Sequence, residues 1–199
     1  FGLPARLGRR WEDDLRRAVD LDVPHVSLYG LTVEPRTALG RAVSDGKEAP
    51  VDEEQYREEF LRAAELLTEC GYVHYEVSNF ARPGAEARHN SVYWAGRPYL
   101  GIGNGAHSFA PPVRRWNIRE WEVYQTAALD GHSVEAEREV VSDEASALER
   151  VWLGLRTRHG IAAPDTASPV GSLVDGWVER GLAERDGDRF RLTAEGWLV

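Results

Sequence analysis

Three glycines at alternate positions, Gly101, Gly103 and Gly105, constrain this chain more than any other feature. They fall inside RHNSVYWAGRPYLGIGNGAHS, Arg88 to Ser108, and leave backbone with almost no side-chain cover, ending at His107. Glycines inside an extended run mark a bulge or a close approach of backbone to a ligand. Just ahead of them His89, Asn90, Tyr93 and Trp94 gather an imidazole, an amide and two large aromatics. A planar cofactor needs that set: an apolar face to lie on and an axial ligand. The same residues also suit core packing and turns, so their chemistry alone leaves both readings open.

Around this stretch the pattern predicts an α/β chain. Phe1 to Pro4 reads as a strand end running into a turn. Trp11, Leu15, Ala18 and Val19 then share one helical face up to Val23-Pro24. His25 to Val33 reads as a buried strand finishing at Glu34-Pro35. Strand, helix, strand with short connections implies a βαβ crossover and a parallel sheet. Ala38 to Pro50 reads as a polar connection. Asp52 caps the next helix, with Gln55 placed as in a capping box. Tyr56, Phe60, Ala63 and Leu67 form its stripe and Gly71 stops it. Tyr72 to Phe80 alternates, which predicts a strand with Val73, Tyr75 and Val77 on an apolar face and His74, Glu76 and Ser78 on a polar one. Tyr99 to Ser108 is expected to form a further strand.

Beyond Pro111-Pro112, the residues Ile118, Trp121, Gln125 and Ala128 predict a short helix closed by Gly131. The acidic, polar stretch from Ser133 to Val140 reads as a boundary, giving domains 1–135 and 136–199. Ser142 caps a helix carrying Leu148, Val151, Trp152 and Leu155, closed by Gly160, and a loop with Pro164 and Pro169 follows. Val170, Leu173, Val174 and Trp177 mark another helix ended by Gly181. Leu182 to Leu192 reads as a hairpin turning at Asp186-Gly187, and Thr193 caps a last helix. Helix, helix, hairpin, helix is the layout of a winged helix. Its charge argues against DNA, because residues 140–199 hold seven arginines, ten acidic residues and no lysine. A packing or lid domain is the expectation.

Composition narrows the function classes. With 199 residues there is room for one core, or a core and a small satellite domain. No apolar run reaches the length of a membrane span and no signal peptide is present, so a soluble cytoplasmic protein is expected. A net charge of −9 argues against non-specific nucleic-acid binding. The chain has no methionine, which leads us to expect a piece of a longer protein. Cys70 is its one cysteine, excluding a disulfide framework and an intrachain cluster of thiolate ligands. At a helix end it is expected to pack as a small hydrophobe.

HNxxYW followed by YLGIGxGAHS resembles the HemW branch of the oxygen-independent coproporphyrinogen III oxidase family, whose members are radical S-adenosylmethionine (SAM) proteins. Other segments extend the resemblance over the whole chain. FGLP resembles the family's Y-G-L-P-G-Q, with Ala5-Arg6 replacing Gly-Gln. SLYGLTVEPRT resembles its sixth barrel strand and exit, with Arg36 where glycine is common. GYVHYEVSNFARPG and LTAEGW resemble further family segments.

The resemblance implies the later part of a partial (β/α)6 barrel with a sheet extension, followed by a small helical domain. It implies that the [4Fe–4S] cluster and its C-x-x-x-C-x-x-C loop lie upstream of Phe1. It also implies a heme chaperone that passes heme to an acceptor protein, and a homodimer is compatible with it. The competing function is an enzyme, the radical decarboxylation of coproporphyrinogen III. His89 is then the candidate ligand of heme iron, Asn90 the group orienting its imidazole, and Tyr93 and Trp94 the cover for the porphyrin. His74 and His107 remain alternative ligands. His107, Gly103, Gly105, Thr32 and Glu34 are expected on the SAM side of the barrel, with Glu34 equally suited to anchoring its loop. The resemblance assigns no catalytic residue to this chain.

Overall fold

In the computed structural model, which describes residues 1–4, 10–163 and 169–199, the chain is an α/β protein. Its elements form two compact units, 1–86 with 156–199, and 87–155. The replacement at Ala5-Arg6 and the loop position Pro164 lie outside the described residues.

The first unit is built on α1 (Trp11–Asp20) and α3 (Glu53–Glu69) packed on the sheet of β1 (His25–Ser27), β2 (Val73–Glu76) and β3 (Asn79–Ala81). Asp52 starts α3 by accepting from the Gln55 N–H at 2.8 Å, while Glu53 and Glu54 complement the helix dipole. Only half a capping box forms, because the Gln55 amide donates onward to Glu59. Phe60, Ala63 and Leu67 recur at helical spacing and are all buried. The helix stops at Gly71, whose φ of +83° suits glycine. Gly71 and Tyr72 donate back to the carbonyls of Thr68 and Leu67, a Schellman ending. Leu15, Leu28, Tyr72 and Phe80 complete the core, and burying each large side chain of this kind stabilises by about 1.5–3 kcal/mol. Cys70 packs against this core, as its position suggested.

Several elements differ from the sequence reading. The pairings among the named strands are antiparallel, in sheets ordered β1-β3-β2, β4-β5-β6 and β7-β9-β8. The parallel sheet read from the βαβ pattern is thus not found among these named strands. A parallel-type exchange joins the two segments expected to flank α1: Phe1 donates to the Tyr29 carbonyl and accepts from the Leu31 N–H. The strand expected over His25 to Val33 ends at Ser27, where the three-residue register with β3 runs out. Within the presumed connection lies α2 (Ala38–Ser44), started by Thr37 accepting from Gly40.

Tyr72 to Phe80 is not one strand. The chain turns at Val77-Ser78, so β2 and β3 form a hairpin. Its supposed polar face points inward: Glu76 is 1% exposed and His74 stacks among aromatic rings.

In the second unit, α4 (Arg88–Trp94) leads to β4 (His107–Ala110), β5 (Val113–Asn117), α5 (Trp121–Leu129), β6 (Glu135–Val140) and α6 (Asp143–Leu155). The strand expected over Tyr99 to Ser108 is mostly loop, closed where Tyr99 and Phe109 exchange two hydrogen bonds of 2.9 Å. The acidic stretch from Ser133 to Val140 contains β6, which pairs with β5 along its length. Its polar composition reflects side chains exposed at nearly every position.

Residues 156–199 carry β7 (Ile161–Ala162), α7 (Pro169–Glu179), β8 (Ala183–Asp186), β9 (Arg189–Leu192) and a 3-10 turn, Gly196–Leu198. The expected hairpin is present, with Gly187 at φ +60°. Pro169 opens α7 instead of lying in the preceding loop. Thr193 accepts from Gly196, but what it caps is a single 3-10 turn and no full helix. This segment is fastened to the rest of the first unit by the Val77 N–H donating to the Arg156 carbonyl and the Arg158 N–H to the Tyr75 carbonyl, by Arg57 paired with Glu195, and by Trp197 against His74.

Candidate functional site

HNxxYW is a helix. Its residues form α4, with no side-chain cap at Ala87 and Ser91 bonded back to the Ala87 carbonyl at 3.0 Å. The spacing thereby acquires a meaning: His89 and Tyr93 stand four residues apart, as do Asn90 and Trp94. Successive residues turn by about 100°, so the two pairs occupy neighbouring faces.

The first pair is in contact. His89 is exposed, and its Nε2 lies 2.8 Å from the Tyr93 hydroxyl, with the rings edge to face at 4.9 Å. The group found on Nε2 is thus the Tyr93 hydroxyl. Tyr93 is held in turn by Tyr99, edge-on at 4.5 Å, and Tyr99 leans on Phe109 at 6.2 Å. Burial raises the Tyr99 phenol above its ordinary range, so it stays neutral. Trp94 presents a different situation. It is part-buried, and its indole N–H is shielded from solvent without an acceptor. An unpaired buried donor costs about 1–3 kcal/mol.

Behind Tyr93 lies a cavity of about 300 Å³ lined by Tyr93, Gly96, Tyr99, Phe109, Arg114 and Trp152. Arg114 on β5 reaches both Glu139 and Glu149 at 2.8 Å, which raise its guanidinium above the usual value and fix its position 5.3 Å from the Phe109 ring centroid. Sequence reasoning passed over Tyr99, Phe109 and Arg114. The signal available was the pair of aromatics flanking the glycine run, which the loop brings together across its base.

The other candidate residues are elsewhere. His107 is exposed on β4 and stacks on Trp116 at 5.5 Å. Gly103 and Gly105 take φ of +105° and +65°, and both use their backbone internally. The Gly103 carbonyl accepts from Asn117 at 2.8 Å, and the Gly105 N–H donates to Ile118 at 2.9 Å. Thr32 and Glu34 belong to the first unit and are exposed in non-strand backbone. The Glu34 carbonyl anchors the following turn, accepting from the Thr37 hydroxyl at 2.7 Å.

His74, the other alternative ligand, is a core histidine. It is stacked on Phe80 and flanked by Phe60 and Trp197, and burial lowers its pKa to about 4.

One cysteine cannot supply the three thiolates of an iron–sulfur cluster, so the chain's own residues do not fit that group. Among the described residues no group of three His, Cys, Asp or Glu side chains is arranged to hold a metal ion. No described helix is long and apolar enough to cross a membrane.

No protein-family model matches the chain. Among curated proteins it is 34% identical over 192 residues to the heme chaperone HemW of Mycobacterium tuberculosis, covering 94% of this chain and 49% of that protein. It is 31% identical over 208 residues to the heme chaperone HemW of Bacillus subtilis, covering 100% of this chain and 55% of the relative. The chain thus spans about half the length of the curated relatives it matches. Among solved structures, the radical SAM enzyme coproporphyrinogen III oxidase (HemN) of Escherichia coli matches with a TM-score of 0.71 at 18% identity, over 100% of this chain and 51% of that one.

Proposed function

This chain belongs to the HemW-type family, and on that premise we propose that it is part of a heme chaperone that binds heme and hands it to an acceptor protein. The observation that carries the proposal is the solvent-facing imidazole of His89 on a short helix, beside the phenol of Tyr93 and an aromatic cavity. Heme iron takes a neutral imidazole as axial ligand, and a porphyrin gains from aromatic cover. His89 supplies the first and Tyr93 the second. Trp94, on the next face of the helix, adds further aromatic cover in the same proposal.

The finer architecture is part of the same proposal. Residues 1–135 correspond to the later part of a radical SAM barrel with its sheet extension, and 136–199 to a winged-helix-like domain. His107, Gly103, Gly105, Thr32 and Glu34 lie toward SAM, and a [4Fe–4S] cluster is held by cysteines of the full-length protein. The working location is the cytoplasm, as a soluble protein that contacts heme and its acceptor, with no nucleic acid and with a homodimer as one form. The likeness to the oxidase speaks for the fold alone at its level of identity.

Hemin titration tests the proposal. Wild-type chain is expected to shift the Soret band, and His89→Ala to lose that shift while keeping its thermal melt. Retained affinity and an unaltered spectrum in a folded His89→Ala protein would remove His89 from the site.

A further inference from the structure

We infer that the Tyr93 hydroxyl is an internal competitor for heme iron, closing His89 Nε2 in the unloaded chain. The inference rests on the ligand role proposed above for His89. Its basis is which nitrogen the tyrosine occupies. Nδ1 of a histidine adjoins the ring carbon that carries the main chain, so a wide porphyrin plane is hindered from approaching it. Nε2 is at the far end of the ring and is the nitrogen open to such a ligand. Here Nε2 is the atom 2.8 Å from the Tyr93 hydroxyl.

Either tautomer gives the same result. When Nε2 is unprotonated, the phenol O–H donates into the lone pair that iron requires. When Nε2 carries the proton, it donates to the phenol oxygen and has no lone pair to offer. Iron can bind only after this hydrogen bond breaks and, in the second tautomer, after the Nε2 proton has passed through solvent to Nδ1. The Fe–N bond then replaces it, with the phenol proton remaining on Tyr93 and the imidazole neutral.

The surroundings favour the closed arrangement without locking it. Tyr93 is 38% exposed, leaving space on its solvent side, while Tyr99 holds its ring edge at 4.5 Å. A state populated only in part lowers apparent affinity by its own fraction. For a protein that must release its cargo, a competitor four residues away recloses the ligand as iron leaves. Tyr93 thereby tunes release, while the ring still covers the porphyrin.

The test is Tyr93→Phe, which deletes one oxygen and keeps the ring that packs on Tyr99. Hemin is expected to bind roughly two- to tenfold more tightly, the range set by one net hydrogen bond. Transfer to apomyoglobin as a probe acceptor is expected to slow to match. A second measurement needs no heme: carbethoxylation of His89, followed by peptide mass mapping, is expected to run faster in Tyr93→Phe than in wild type. Unchanged or weaker hemin affinity in the folded variant, or equal carbethoxylation rates, would overturn the inference while leaving the ligand role of His89 standing. Hemin binding that survives His89→Ala would overturn both.

Discussion

The imidazole of His74 lies nearly parallel to the ring of Phe80, with centroids 3.9 Å apart, and Trp197 meets it edge-on at 4.4 Å. The histidine therefore joins β2 and β3 to the C-terminal segment through an aromatic stack. Removing water from the imidazole is the main reason its pKa falls to about 4, against the opposing hydrogen bond to the Val77 carbonyl.

That shift predicts a pH dependence. Between about 6.5 and about 4 the unfolded chain takes up a proton at His74 that the folded chain refuses. Stability therefore falls as pH drops through this window and stays lowered below it, by up to about 3 kcal/mol. Glu76, buried beside it, acts in the opposite sense. Its carboxyl is raised by burial, so the fold tolerates its protonation well. Comparing variants isolates the histidine: His74→Leu is expected to lose less stability than wild type between pH 7 and pH 4.5 in urea melts. Equal losses in the two proteins would refute the assignment.

A second expectation concerns the start of α3. Asp52→Ala removes the acceptor for the Gln55 N–H and a negative charge at the positive end of the helix. The expected loss is about 1 kcal/mol, read as a shift in the urea midpoint with an unchanged slope. Asp52→Asn, which keeps an acceptor, should restore most of it.

The two ends of α3 were legible because each is local chemistry: a carboxylate at the N-cap and a glycine at positive φ. The same is true of the β8–β9 turn at Gly187 and of the stop at Gly131 after α5. What the sequence hid is non-local. Strand direction depends on which strands pair, and the spacing of His25 to Phe80 fits either arrangement. Alternation from Tyr72 to Phe80 cannot reveal a turn made by Val77-Ser78, nor that His74 finds aromatic partners and Glu76 a buried place beside Asn79. At the site, the motif residues were visible as chemistry but not as a helix, because α4 has only seven residues and no side-chain cap. The His89–Tyr93 pair follows at once from helical spacing. The cavity behind it does not, since Arg114 and Trp152 reach it from elements far along the chain.

The last prediction separates two reasons for glycine in the second unit. At Gly101 the backbone is not in the left-handed region, yet an added Cβ would overlap the carbonyl oxygen of His107. Its N–H also donates to the Ser108 hydroxyl at 2.9 Å, so the loop backbone cannot back away without breaking that bond. At Gly96 the reverse holds: φ is +59° and a Cβ would meet nothing within 4 Å. Gly101→Ala must therefore push main chain against main chain, beside the Tyr99–Phe109 bridge that supports Tyr93. A cost of about 1–3 kcal/mol is expected, as for other overpacked sites. Gly96→Ala meets only the left-handed penalty of about 1–2 kcal/mol, and Gly96→Asn should recover much of it because asparagine enters that region readily. Gly101→Asn should recover nothing, since side-chain chemistry does not relieve an overlap at Cβ. Thermal melts of the four variants decide the matter: an asparagine that rescues position 101 as well as 96 would mean that the loop yields and Gly101 is not held by the His107 carbonyl.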